Sequence, residues 1–301
     1  MAEVSIRTRK AAAGLTWVHS GLRLFARRPL VIIVLVALGP LLNWTIGLLP
    51  VVGTAFALMM FPTISLGMLA VCRTVDDGAI PGLANYFAVL RNPAARWELL
   101  KIGVYYALVI GALVTIWSFL PTEGTAPAST TAPPASAPSA NGPNAPPTST
   151  NPSAAPGPSE APEPDLALTP LRMVMLLSAV VILIPLQMTI WFAPALVAWH
   201  AMRASKALFF SFFICWRNRG AMLVYLLALF GLACVAVLAF AALVGLLNAK
   251  DGLAQFLLAP PPLLMLAITQ TTTLAMYRDL VVDNSTVRNH DALSQSRDTP
   301  V

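Results

Sequence analysis

The sequence predicts an all-α polytopic membrane protein: six transmembrane helices arranged as three hairpins, each preceded by an interfacial amphipathic helix. Three observations carry this expectation. They are long runs without charge, basic residues confined to alternate loops, and a basic junction that recurs three times. Charged residues make up 11% of the 301-residue chain and hydrophobic ones 57%, whereas a soluble domain carries about 25% charged. No charge occurs from Pro29 to Cys72, Ile102 to Thr122, Met173 to Met202, Gly220 to Ala249 or Gly252 to Tyr277. A membrane-spanning helix needs about 20 apolar residues, so each run can cross a bilayer.

The first run is long enough for two crossings and breaks at Pro50 and Gly53, because proline cannot continue a helix and glycine tolerates the turn. The predicted spans are therefore 30–49, 52–72, 100–120, 171–199, 220–247 and 254–277. The fourth and fifth are longer than a bilayer requires, which predicts tilt. The first apolar run follows Arg7, Arg9, Lys10, Arg23, Arg27 and Arg28, an order that suits an uncleaved anchor better than a secretory signal.

Before the first span, Leu15, Val18, Leu22 and Phe25 are spaced three and four apart. Before the third, Ile80, Leu83, Phe87 and Leu90 repeat that spacing, and Met202, Phe209, Phe213 and Trp216 give a looser version before the fifth. Such spacing puts the side chains on one helical face. Each stripe ends at a basic junction: Arg27-Arg28-Pro29, Arg91-Asn92-Pro93 and Arg217-Asn218-Arg219-Gly220. An amphipathic helix of this kind is expected to lie in the headgroup plane. The second, fourth and sixth spans also end alike, in LAVCR (69–73), LVAWH (196–200) and LAMYR (274–278). Interfacial helix, basic turn, span, outer turn and proline-bearing span thus form one unit, written three times.

Six crossings put both termini on one side. Of the 19 lysines and arginines, 17 fall on that side and only Arg172 and Lys250 on the other, so the positive-inside rule predicts cytoplasmic termini. Residues 1–120 then comprise the cytoplasmic N-terminus, interfacial helices and first three spans. Residues 121–169 hold 13 prolines and no basic residue; such a stretch cannot bury enough apolar surface to fold and is expected to be a disordered periplasmic loop. Residues 170–280 hold the remaining spans, and 281–301 are expected to be a disordered cytoplasmic tail.

Apart from Lys101 and Arg172 at span ends, no acid or base lies inside a predicted span, which disfavours a proton-coupled pathway. The amides Gln187 and Gln270 mark a candidate intramembrane polar pocket. Arg27, Arg28, Arg91, Arg217 and Arg219 mark a candidate surface for anionic lipid or a protein partner. The net charge of +6 is read as topology and lipid contact rather than nucleic-acid binding. His19, His200 and His290 are scattered, and Cys72, Cys215 and Cys234 suit neither a disulfide framework nor a zinc site. Asp76-Asp77-Gly78 is read as a turn, with Arg73 and Asp77 placed to pair one helical turn apart. No phosphate loop, nucleophile–histidine arrangement or dinucleotide fingerprint is present, so no catalytic, cofactor-binding or metal residue is assigned. The expected function is that of a non-enzymatic membrane-embedded interaction or assembly protein touching anionic lipid at the cytoplasmic leaflet. A carrier or channel for a neutral or lipidic solute is the alternative.

The segment WFAPALVAWHAMRASKALFFSFFICWRN (191–218) resembles a family of uncharacterised multi-pass inner-membrane proteins of Gram-negative bacteria, and the likeness covers most of the chain outside 121–169. It implies an integral protein of the bacterial cell inner membrane and assigns no activity. The hairpin pattern alone is similar to the membrane domain of some glycerophosphodiester phosphodiesterases. The soluble domain that carries their activity has no counterpart here, so that activity is not carried over.

Overall fold

The computed structural model describes residues 4–49, 52–118, 170–247, 252–253 and 259–283. The Pro-rich loop expected at 121–169 and residues 284–301 of the expected tail lie outside them. In chain order the elements are β1 (Val4–Ile6), α1 (Ala13–Arg27), α2 (Pro29–Gly47), α3 (Gly53–Asp76), the one-turn α4 (Leu83–Tyr86) and α5 (Pro93–Ser118). They continue with α6 (Pro170–Ile190), α7 (Ala193–His200), α8 (Ala204–Arg217), α9 (Arg219–Leu246), α10 (Pro260–Leu280) and β2 (Val281–Asp283).

Among the described residues, five stretches are long and apolar enough to cross a membrane: α2, α3, α5, Val180–His200 and α9. Their outer faces expose Leu30, Val34, Trp44, Leu108, Val114, Leu227, Phe230 and Leu238, a surface that needs hydrocarbon rather than water. The sixth predicted span, α10, is not among the five. Its run Gln270-Thr271-Thr272-Thr273 is polar, and all four side chains are buried. The hydroxyls of Thr271 and Thr272 donate to the carbonyls of Ile268 and Thr269 at 2.9 and 3.0 Å. Tyr225 of α9 meets the Thr272 hydroxyl at 2.9 Å. These threonines face protein, where hydroxyls can be satisfied, so α10 is the central helix: α1, α2, α3 and α9 all pack against it.

Helix α1 docks by a face that is rotated from the predicted stripe but shares Val18 with it, with Leu22 and Phe25 half-buried at its edge. Gly14, Trp17, Val18, Gly21 and Leu24 are buried, while Leu15 is 57% exposed. A Cβ on Gly21 would stand 2.3 Å from Thr272 Cγ2 and 2.5 Å from Thr272 Cα. Small residues let helix axes approach this closely.

The other two predicted interfacial helices are also revised. Ile80 to Leu90 do not form one continuous helix. Gly82 is extended at φ −133° and ψ 174°, so only the single turn α4 and a 3-10 turn at Ala88–Arg91 follow. Ile80, Leu83, Phe87 and Leu90 are exposed, and Tyr86 turns inward instead, donating its hydroxyl to the Ile64 carbonyl at 3.2 Å. In α8 the protein-facing side is Ala204, Ala207, Ser211, Ile214 and Cys215. Phe209, Phe213 and Trp216 of the predicted stripe lie on the exposed face, whereas Met202 is buried ahead of the helix.

The predicted span 171–199 is two helices, α6 and α7, interrupted at Trp191 and Phe192. Pro185 is accommodated inside α6, and Pro194 starts α7. The Ser211 hydroxyl of α8 donates to the Met188 carbonyl at 2.8 Å and accepts the Phe192 N–H at 3.0 Å. One buried side chain therefore satisfies backbone groups on both sides of the break.

Residues 281–283, expected to be disordered, form β2. It pairs antiparallel with β1, with Val4 opposite Asp283, Ser5 opposite Val282 and Ile6 opposite Val281. The pairing continues where Arg7 N–H donates to the Leu280 carbonyl at 3.0 Å.

Candidate functional site

The three helix ends that match in sequence meet in space. The last turn of α3 supplies Arg73, the end of α7 supplies Trp199 and His200, and the end of α10 supplies Tyr277 and Arg278. Together with Arg7, just after β1, and with Val281 and Val282 of β2, they line one cavity of about 590 Å³. Its wall is aromatic. The Arg73 guanidinium lies 4.5 Å from the Trp199 ring centroid, within cation–π range. Trp199 packs edge-on to Tyr277 at 4.9 Å, and His200 lies 6.3 Å from the same tyrosine.

The rim is cationic. Arg278 pairs with Asp76 and Asp77, the latter at 2.7 Å. Arg27 reaches Asp76 at 3.2 Å, and Arg73 stands 4.0 Å from Asp77 in the predicted one-turn pairing. Three arginines thus share two carboxylates, and neither carboxylate lines the cavity. These pairs are partly exposed, so each contributes no more than about 1 kcal/mol; their larger effect is to orient the guanidinium groups. Arg7 makes no side-chain ion pair or hydrogen bond among the described residues. Its backbone is fixed nonetheless, because Asn218 donates to the Arg7 carbonyl at 3.2 Å and accepts the Arg9 N–H at 2.7 Å.

Three of the five predicted lipid-facing arginines, Arg27, Arg217 and Arg219, have a partner within the fold. Arg27 is on Asp76, and Arg28 is a half-buried residue joining α1 to α2. Arg91 is exposed at the end of the 3-10 turn. Arg217 donates through Nε to the Thr8 hydroxyl at 2.7 Å, and Arg219 lies 5.8 Å from the Trp216 ring. The two predicted pocket amides are not equivalent: Gln187 is exposed on α6, whereas Gln270 is buried in α10.

Several site-building residues escaped the sequence reading. Asp279 accepts the Trp17 indole N–H at 2.8 Å and the Arg9 Nε at 3.0 Å, tying the N-terminal segment to α10. Glu98 of α5 accepts the Ala204 N–H at 2.7 Å, filling an unsatisfied donor at the start of α8. Asn218 is 1% exposed, so the asparagine of the third basic junction is structural. Burial pushes the Cys215 thiol up to about 12, which leaves almost no thiolate near neutral pH and removes it as a nucleophile.

Over 295 residues the chain is 31% identical to a Burkholderia thailandensis protein named "Probable inner membrane protein", covering 92% of this chain and 92% of that one. The chain belongs to that family of inner membrane proteins. It is an integral multi-pass protein, in keeping with the resemblance carried by residues 191–218 and with the apolar helices described above. The hairpin likeness to phosphodiesterase membrane domains is not shown by these comparisons. No protein-family model matches the chain, and no solved structure matches it.

Proposed function

We propose that the chain is a six-span, non-enzymatic interaction or assembly protein of the inner membrane, with both termini cytoplasmic and a basic face that holds anionic lipid. One observation carries the reading. The paired strands β1 and β2 flank the whole set of membrane helices, and the basic cavity adjoins them. Strands that share hydrogen bonds lie on the same side of the bilayer, so the number of crossings between them is even. Five apolar stretches plus the central α10 make six. The excess of lysine and arginine on that side supports a cytoplasmic orientation.

Reporter fusions after residues 75 and 200 and at the C-terminus are expected to report cytoplasm, and a fusion at residue 140 the outside. An outside signal at the C-terminus would refute the even count.

The lipid contact has its own test. Replacing Arg27, Arg28, Arg91, Arg217 and Arg219 by glutamine is expected to abolish selectivity for phosphatidylglycerol over phosphatidylcholine in nanodiscs, with topology rechecked in the variant. Each basic residue near an anionic surface contributes about 1 kcal/mol, so the combined loss exceeds a hundredfold. Changing Gln187 and Gln270 to leucine is expected to alter packing only. The carrier or channel alternative requires both amides along one path, and the reverse ranking of these two variants would support it.

A further inference from the structure

We propose that the cavity between the ends of α3, α7 and α10 is a binding site for a phosphate-bearing anion, carried on a lipid headgroup or free in solution. The inference rests on the interaction-protein reading above and deepens it, by giving the basic face one defined pocket. Three features of the pocket select the ligand class.

The first is charge. Arg7, Arg73 and Arg278 line the cavity together with His200, and no carboxylate does. Arg27, Arg73 and Arg278 share Asp76 and Asp77, and Arg7 adds a fourth guanidinium with no carboxylate partner among the described residues, so two positive charges are left over. A phosphate dianion balances both and a monoanion one, whereas a neutral solute balances neither.

The second is geometry. A guanidinium has five N–H donors. Arg278 directs its two terminal nitrogens at Asp76 and Asp77, which fixes its plane and leaves further donors unspent. The Arg73 guanidinium is held against Trp199, and Arg7 is anchored by its backbone with its guanidinium uncommitted among the described residues. Positioned forks of this kind suit the several oxygens of a phosphate, which accept paired N–H bonds.

The third is the wall. Trp199, Tyr277 and Leu274 give the cavity an apolar side, with Leu274 and Tyr277 themselves buried. Low polarity beside the arginines strengthens their attraction for an anion relative to open water. About 590 Å³ exceeds the space a bare phosphate needs and accommodates a glycerol-phosphate headgroup. Residues at matching places in three repeated helix ends thereby converge on one ligand.

The test uses the full chain in two arms. In the first, wild type and Arg7→Gln are placed in nanodiscs containing phosphatidylglycerol, and tightly retained lipid is counted by native mass spectrometry. In the second, inorganic phosphate is titrated into the detergent-solubilised protein and binding is read by thermal shift. Arg7→Gln is chosen because it breaks no ion pair of the fold; Arg7→Lys keeps the charge and should restore part of the binding. Loss of one charged hydrogen-bond donor is expected to weaken binding about tenfold or more. A loss confined to the lipid arm assigns the headgroup as ligand, and a loss confined to the phosphate arm assigns a soluble anion. If neither Arg7→Gln nor Arg73→Gln changes either arm, the cavity is not an anion site. Should lipid retention then still fall in the five-arginine junction variant, the basic-face reading stands without this pocket. If that variant also retains lipid unchanged, the basic-face reading falls too.

Discussion

Replacing Gly21 with leucine is expected to destabilise the protein by about 3 kcal/mol or more, the upper end for overpacking. The reason is the place of the clash. A Cβ at position 21 meets the backbone nitrogen and Cα of Thr272 at 2.7 and 2.5 Å, and backbone inside the central helix cannot rotate away as a side-chain tip can. The axis of α1 must therefore retreat from α10. Retreat lengthens the contact between Trp17 and Asp279, now 2.8 Å, and pulls β1 away from β2. A local substitution thus propagates to the strand pair and to the Arg7 side of the basic cavity. Gly245→Leu is the control, since nothing lies within 4 Å of a Cβ there and leucine favours a helix by somewhat under about 1 kcal/mol over glycine. Thermal unfolding in detergent decides it: Gly21→Leu must melt well below wild type while Gly245→Leu does not. Equal melting temperatures for the two variants would mean that α1 is not packed on α10 as described.

Local physics made the membrane helices readable. The expected 30–49, 52–72 and 220–247 compare with Pro29–Gly47, Gly53–Asp76 and Arg219–Leu246, because chain entry into hydrocarbon depends on a contiguous apolar run. The third span starts earlier than expected, at Pro93. Asn92 accepts the Ala94 N–H at 3.1 Å, so the helix begins in the polar segment that hydropathy assigns to a loop. Partner choice was less legible. Stripes at helical spacing identify an amphipathic helix without saying which face meets protein and which meets lipid. In α8 small residues took most of the protein side, and in α1 Gly14 and Gly21 did so beside Trp17, Val18 and Leu24; the small residues are placed there by close helix packing. The strand pair was invisible because β1 and β2 are three residues each and nearly the whole chain apart. The matched ends LAVCR, LVAWH and LAMYR were visible as a pattern, but their convergence is a property of the bundle, not of any one segment.

Ser211 is the residue on which the break between α6 and α7 depends, and its replacement is the second large effect expected. Two prolines precede the His200 end of this stretch, yet the helix runs through Pro185 and stops only ahead of Pro194. What distinguishes the second site is a partner for the groups that the break releases. Ser211 is fully buried, at 0% exposure, and its hydroxyl serves both the Met188 carbonyl and the Phe192 N–H. The Cys215 thiol adds a weaker contact to the Met188 carbonyl at 3.7 Å. Ser211→Ala therefore leaves a buried donor and a buried acceptor unpaired, each costing about 1–3 kcal/mol. The expected total is about 2–5 kcal/mol. Ser211→Thr keeps the hydroxyl and should recover most of the loss, less the strain of one added methyl group in a packed site. Because α7 carries Trp199 and His200 into the basic cavity, Ser211→Ala should also weaken whatever anion binding Arg7→Gln weakens. Melting temperatures for the alanine and threonine variants separate the hydroxyl from simple volume. If threonine is as damaging as alanine, packing at that position governs the break and the two hydrogen bonds do not.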